Sequence, residues 1–244
     1  MKTASKFTVL TGAISALAII GSANAAEVMV SSDITTSTTW TSGNVYNLQG
    51  SRYVTNGATL IIEAGTIIAS DVGGSLAVTR DARLSCIGTA QQPVIFTSKA
   101  DYATWDTAHP RGEWRPTANE WGNVTLMGKA YIGKYGNGAV ATNTAAPNAG
   151  NYANMEGLVA SGTPGDTRTF YGGGTDQDTS GALRFVSLRY GGKVVGLGNE
   201  LNGLSLGGVG RDTIIDHIDI MNNVDDGIEI WGGTVDIKYF SIWN

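Results

Sequence analysis

The sequence predicts an all-β chain wound into a right-handed parallel β-helix, a solenoid of roughly six turns with two long loop insertions and an incomplete C-terminal end. Three internal echoes predict it. Asn202-Gly-Leu-Ser-Leu-Gly-Gly-Val209 recurs 24 residues later as Asp226-Gly-Ile-Glu-Ile-Trp-Gly-Gly233, so that Leu204 aligns with Ile228, Leu206 with Ile230 and Gly208 with Gly232. Ile218-Asp-Ile-Met-Asn222 returns after 22 residues as Phe240-Ser-Ile-Trp-Asn244. Near the start, Ala58-Thr-Leu60 returns as Ala82-Arg-Leu84, with Gly65-Thr66 echoed by Gly88-Thr89. Apolar residues alternate within each copy while the copies lie one solenoid turn apart, and that pairing of periods describes a coil of short strands.

Residues 1–25 stand outside this pattern. Lys2 and Lys6 precede an apolar run from Val9 to Ile20 and then Ala23-Asn-Ala25, the layout of a secretory signal peptide cut before Ala26. That run is too short for a membrane anchor. The mature chain, residues 26–244, is therefore expected to be exported, secreted or held in the cell envelope, without a transmembrane segment. It keeps 14 basic against 21 acidic residues, the wrong balance for a nucleic-acid partner. Charged residues make up only 15% of the chain and glycine supplies 34 of 244 residues, which suits a folded chain that turns every few residues. Cys86 is the single cysteine, so no intrachain disulfide forms, and its setting in Leu84-Ser-Cys-Ile87 is that of a small buried apolar residue.

Thr59-Leu-Ile-Ile-Glu63, Ser75-Leu-Ala-Val-Thr79, Pro93-Val-Ile-Phe-Thr97 and Leu183-Arg-Phe-Val-Ser-Leu-Arg-Tyr190 are short, rich in β-branched or aromatic residues and bounded by glycine or polar clusters, and they are expected to be strands. No window after the signal segment carries an apolar stripe at helical spacing. Residues 99–120, with Trp105, His109, Pro110, Trp114 and Pro116, break the period. So do residues 131–179, rich in Gly, Asn, Ala and Thr around Tyr131, Tyr135, Tyr152 and Tyr171. Both are expected to be loops inserted between turns, either functional or surface decoration. Tyr239-Phe-Ser-Ile-Trp-Asn244 follows the strand pattern with no polar capping turn, which leads to the expectation that the remainder of a longer chain is missing.

Glu120-Trp-Gly-Asn-Val-Thr-Leu-Met-Gly-Lys-Ala130, Tyr171-Gly-Gly-Gly174 with Ser180-Gly-Ala-Leu-Arg-Phe-Val186, Glu200 to Gly210, and Asp225 to Val235 form a specific combination. Together they resemble a family of exported bacterial right-handed parallel β-helix proteins in the pectin-lyase-like superfold, mostly without assigned activity. The resemblance covers about residues 33–244. It implies the fold and an envelope or extracellular location. It supplies no agreed catalytic residues, and a shared superfold does not transfer a reaction.

Asp225, Asp226 and Glu229 are the sharpest acidic group, and stacking of successive turns brings Asp216 or Asp219 into their neighbourhood. Three readings stay open. The carboxylates serve a tight turn, they bind Ca²⁺ through hard oxygen ligands, or they act as an acid and base pair. Against catalysis, the Gly-His-Gly and Arg-x-Lys strings of polygalacturonase-type hydrolases do not occur. Arg184 and Arg189, five apart on one predicted strand, are expected to face opposite ways and so not to clamp a substrate together. Asp176, Asp178 and Ser180 have a second calcium-loop spacing, although Ser187 stands where an EF-hand would place its closing Glu. No cofactor is required by any motif; calcium is the one cation these oxygen clusters could take. His109 and His217 lie far apart with a single cysteine available, which gives no zinc site. His217 is expected to point outward from a strand. His109 with Trp105 and Trp114 is the better ligand-binding candidate, since aromatic rings on loops stack on sugars, although such rings also pin loops to a body. The expected function is a secreted or cell-surface β-helix with a structural, adhesin-like or glycan-binding role toward extracellular polysaccharide or a cell-surface component. The alternative is a carbohydrate-active enzyme, lyase or hydrolase, centred on Asp225, Asp226 and Glu229.

Overall fold

The computed structural model describes residues 25–133, 151–158, 167–196 and 199–244; residues 1–24, which hold most of the expected signal peptide, and Tyr135 lie outside them. The first coils are built from β1 (Ala26–Val30), β2 (Thr38–Trp40), β3 (Asn44–Leu48), β4 (Ser51–Val54), β5 (Thr59–Ile62), β6 (Ile67–Ser70), β7 (Ser75–Val78), β8 (Arg83–Ile87) and β9 (Val94–Ser98). A one-turn helix, α1 (Lys99–Tyr102), then opens the first insertion before β10 (Val124–Met127). The second insertion carries β11 (Ala153–Asn154) and β12 (Phe170–Tyr171), paired antiparallel. The chain rejoins the coil as β13 (Gly181–Arg189), makes a small antiparallel hairpin of β14 (Val194–Gly196) and β15 (Asn199–Glu200), and finishes with β16 (Leu204–Val209), β17 (Ile214–Met221), β18 (Ile228–Gly233) and β19 (Ile237–Trp243).

The coil strands form three parallel walls of a right-handed β-helix. The front wall runs β4, β7, β10, β16, β18; with the Ile34–Val54 bridge below it, it marks six coils. The second wall stacks β2, β5, β8 and the first half of β13, and the third stacks β1, β3, β6, β9 and the second half of β13, with β17 and β19 continuing both. The sequence echoes are coil neighbours in this register. Leu204 pairs with Ile228, Leu206 with Ile230, Ile218 with Phe240 and Leu60 with Leu84. One column of the front wall therefore reads Val54, Val78, Leu126, Leu206, Ile230, a continuous apolar ladder. Such residues face inward because each coil alone cannot bury its apolar side; the neighbours above and below do it.

One echo is not structural. The offset between coils is 24 residues at Ile62 and Cys86 but 28 at Ile67 and Ile95, and the Gly65 N–H donates to the Gln92 carbonyl at 3.0 Å, so Gly65-Thr66 does not lie beneath Gly88-Thr89. Extra residues between Gly88 and Val94 absorb the difference.

The parity expected along residues 183–190 is also corrected. Phe185 adopts a left-handed backbone conformation (φ 51°), where β13 bends from the second wall to the third. The bend shifts the alternation by one residue: Leu183 points inward before it, and Val186 and Leu188 point inward after it. Arg184 and Arg189 thus both point outward, on two different walls. His217 (φ 55°) and Tyr239 (φ 53°) occupy the same bend in the next two coils, and the three rings stack outside it with centroids 4.2 and 4.8 Å apart. A second left-handed corner, at Tyr190 and Asn222, ends the third wall.

The described parts of the second insertion lie against the outside of the front wall. Tyr53, Ala77 and Met127 from that wall pack with Ile132, Ala153, Met155 and Tyr171 into a second apolar cluster outside the main core. Gly207 permits the approach, since a Cβ there would stand 2.5 Å from Cγ of Tyr171. Cys86 is fully buried inside the coil and burial raises its thiol pKa. On the last coil, Ile230, Phe240 and Ile242 are exposed. No helix among the described residues is long and apolar enough to cross a membrane.

Leu206 is fully buried between Leu126 and Ile230. Leu206→Ala is expected to destabilise the fold by about 2–5 kcal/mol, measured by urea unfolding, through lost burial and the cavity it leaves.

Candidate functional site

The first insertion is tied down by a buried carboxylate at its root. Asp101 has no solvent exposure and accepts hydrogen bonds from Thr97 Oγ1 at 2.7 Å and from the Trp105 indole at 3.0 Å, while Ser98 caps α1 by accepting from the Asp101 N–H at 2.9 Å. Burial raises the Asp101 pKa against the opposing pull of those hydrogen bonds and of Arg189 and Arg115. Further along, Arg115 grips Glu120 with two bonds of 2.9 and 2.8 Å, and Thr117 and Ser98 also donate to that carboxylate. Burial alone would push Glu120 up, yet the bonds from Arg115 and Ser98 outweigh it and hold the carboxyl below its ordinary value. The Tyr190 hydroxyl accepts from the Arg115 N–H and donates to the Glu113 carbonyl, both at 3.1 Å.

This scaffold fixes one exposed tryptophan. The Trp114 indole N–H donates to Asn222 Oδ1 at 3.2 Å, and Asn222 Nδ2 donates back to the Arg115 carbonyl. Trp114 remains 51% exposed. With Pro116, Thr117, Ala118, Asn222, Asn223 and Asn244 it lines an open recess of about 340 Å³ at the end of the third wall. The Asn223 N–H donates to Asn244 Oδ1 at 3.2 Å, and the Asn223 amide binds the carbonyls of Leu201, Asp225 and Asp226. An indole ring beside amides and a hydroxyl is a surface suited to an uncharged polar ligand with an apolar face.

The three ligand candidates of the sequence divide. Trp105 is half-buried and bound to Asp101, and so serves as an anchor for the loop. His109 is exposed and sits between Asp106 (3.3 Å) and Glu113 (3.1 Å) of its own loop. Trp114 alone of the three lines this recess.

The acidic group behaves differently from its sequence pattern. Asp225 and Asp226 are exposed on the turn before β18. Glu229 points outward from β18, accepts a hydrogen bond from Asn202, and has its pKa raised, by burial first and then by Glu156, Asp226 and Asp225, with Asn202 opposing. Burial first, and then the charges of Glu229 and Glu156, push the Tyr171 phenol up to about 12. No Lys or Arg forms an ion pair with Asp225, Asp226 or Glu229 among the described residues. Asp216 and Asp219 do not join them, because β17 carries both on other walls. Asp216 accepts from Arg184 at 3.0 Å and contacts His217 at 2.9 Å, whereas Asp219 accepts from Ser187, Ser241 and Trp243.

Asp178 accepts the Lys129 N–H at 2.8 Å and Asp176 accepts the Tyr131 N–H at 3.1 Å, with Arg211 3.7 Å away. These carboxylates hold the chain leaving β10. Ser180 is buried. No group of three His, Cys, Asp or Glu side chains among the described residues is placed to hold a metal ion.

Sequence patterns gave no role to Asn223, Asn202, Glu156 or Tyr171. Asn222 and Asn244 did carry a signal, since they end the two copies of the 22-residue echo and lie in adjacent coils beside the recess. Glu156 belongs to the second insertion, where no repeat exists to reveal it.

A three-walled coil with polar recesses on its turns and inserted loops defines a parallel β-helix protein. Residues 32–244 match the family of the pectate-lyase-like β-helix domain, and the chain belongs to that family. No curated protein and no solved structure matches it.

Glu120 provides a pH test. Its depressed folded-state pKa means that the stability it contributes is present above the ordinary Glu value of 4.5 and is lost as pH falls through the lower folded value. Glu120→Gln is expected to cost about 2 kcal/mol at pH 7. Urea unfolding of the two proteins at successively lower pH should show that difference shrinking once pH drops below 4.5.

Proposed function

We propose that this chain is an exported, non-catalytic β-helix protein of the cell surface or extracellular space that binds neutral glycan. The observation that carries the proposal is Trp114, an exposed ring held in place by Asn222 beside the side chains of Thr117, Asn223 and Asn244. A sugar ring has apolar C–H faces and hydroxyl edges, so an aromatic face bordered by amide donors and acceptors meets both. The lysine-led apolar run of residues 1–20, followed by Ala23-Asn-Ala25, supports export. The site is built on a rigid corner, which limits the ordering needed on binding.

Trp114→Ala is expected to weaken binding of neutral polysaccharides at least tenfold in affinity electrophoresis, with circular dichroism and the thermal midpoint unchanged. Retention of full binding by a folded Trp114→Ala protein would remove this site from the function.

A second reading, a carbohydrate-active enzyme, is favoured by one observation. Burial and the neighbouring carboxylates of Glu156, Asp226 and Asp225 raise the Glu229 pKa, the direction that suits a general acid. It predicts release of new reducing ends from a polysaccharide panel, abolished by Glu229→Gln. A lyase is disfavoured, since a polyuronate substrate calls for cations around its carboxylates, and no Lys or Arg forms an ion pair with Glu229, Asp225 or Asp226 among the described residues.

A further inference from the structure

A larger recess lies at the opposite end of the coil. Asp33, Thr35, Thr55, Asn56, Thr79, Arg80, Asp81, Thr167 and Arg168 line a hollow of about 430 Å³ on the turns that leave the front wall. Its volume is that of a small-molecule site, which spans roughly 300 to 1,000 Å³. Register builds the hydroxyl side. Ile34 pairs with Val54 and Val54 with Val78, so the next residue of each coil, Thr35, Thr55 and Thr79, falls into one column at the coil spacing of about 4.8 Å.

Among the described residues, both carboxylates of this hollow are already paired, while Arg80 is not. Asp33 is satisfied twice, by the Tyr53 N–H at 3.1 Å and by Arg168 at 2.6 Å, and Arg168 also lies over the Tyr53 ring. Asp81 is paired with Lys129. Arg80 has no such partner. Its Nε is buried without an acceptor, and no carboxylate pairs with its guanidinium among the described residues. A Cβ built on Gly173 would stand 3.4 Å from Arg80 Nη2, so the guanidinium lies against backbone and not against a counter-ion.

We infer that this hollow is a second ligand site, which takes an oxyanion group, sulfate or phosphate, on the Arg80 guanidinium with the Thr35 and Thr55 hydroxyls donating beside it, the Thr79 hydroxyl being already given to the Val54 carbonyl. Among the described residues, the two carboxylates are paired with Arg168 and Lys129 and none pairs with Arg80, whose terminal Nη1 and Nη2 groups are matched to two oxygens of one anion. The inference uses none of the residues around Trp114 and stands independently of the neutral-glycan reading.

The test is equilibrium binding to the mature chain at constant ionic strength, with four probes: inorganic sulfate, inorganic phosphate, N-acetylglucosamine 6-sulfate and unsulfated N-acetylglucosamine. Sulfate-bearing or phosphate probes are expected to bind, and the unsulfated sugar is not expected to bind at this site. Tighter binding of the sulfated sugar than of sulfate identifies a glycan-borne group, and equal affinities identify the free ion. Arg80→Gln is expected to reduce affinity at least tenfold and Arg80→Lys less, while Arg83→Gln, an exposed arginine on β8, leaves it unchanged. Thr55→Val provides a second, uncharged variant that should weaken binding. Lack of oxyanion binding by the unmodified chain, or equal binding by folded Arg80→Gln, overturns the inference.

Discussion

Vertical registry between coils is the constraint on which the rest of this molecule depends. A single coil has an apolar inside and unpaired backbone above and below, so it is unstable alone and becomes stable by lying on a copy of itself. The ladder from Val54 to Ile230 meets both needs at once, because strands that hydrogen-bond in parallel register also bring like side chains into contact. Loops can leave this stack without disturbing it only at corners. The first insertion departs after β9 and the second after β10, and each returns to the register it left.

The exterior is organised by a different principle, in which a few buried polar groups anchor long stretches of irregular chain. Asp101 is desolvated yet bonded through Oδ2 to Thr97 and Trp105, with Arg115 3.9 Å from its unbonded Oδ1, and the Arg115–Glu120 pair ties the far end of the same loop back to Ser98. A buried polar group is tolerable when its hydrogen bonds are made, and once made they fix one geometry for everything attached. Trp114 is held through this framework, with Asn222 gripping both its indole nitrogen and the neighbouring backbone. The first inserted loop therefore presents a rigid exposed ring at a wall's edge.

Much of the fold was legible because repetition is a one-dimensional signal. Leu204 and Ile228, or Ile218 and Phe240, are spatial neighbours for the same reason that they are sequence echoes. Two features escaped the pattern. The left-handed bend at Phe185 inserts a residue into the alternation, so a strict period of two assigns Arg184 and Arg189 to opposite sides although both point outward. The Gly65-Thr66 echo had the right composition and the wrong offset, since the loop before β9 lengthens that coil. The site was less legible. Glycine, asparagine and aspartate have the same signature in a turn whether or not a ligand is present. The grouping of Asp225, Asp226 and Glu229 with Glu156 depends on an inserted loop whose docking nothing periodic encodes, and Asp216 and Asp219 were separated from them by a corner that spacing alone does not show.

The packing of the second insertion against the front wall has a consequence for how the cylinder can be used. Side chains that would line an outer groove there, among them Tyr53, Ala77, Thr125 and Met127, are roofed over and almost wholly withdrawn from water. A polymer laid lengthwise would find that flank shut. The first insertion likewise lies along β6 and β9 of the third wall, so contact with anything long and flexible is displaced to the corners, where each passing strand offers only a short foothold.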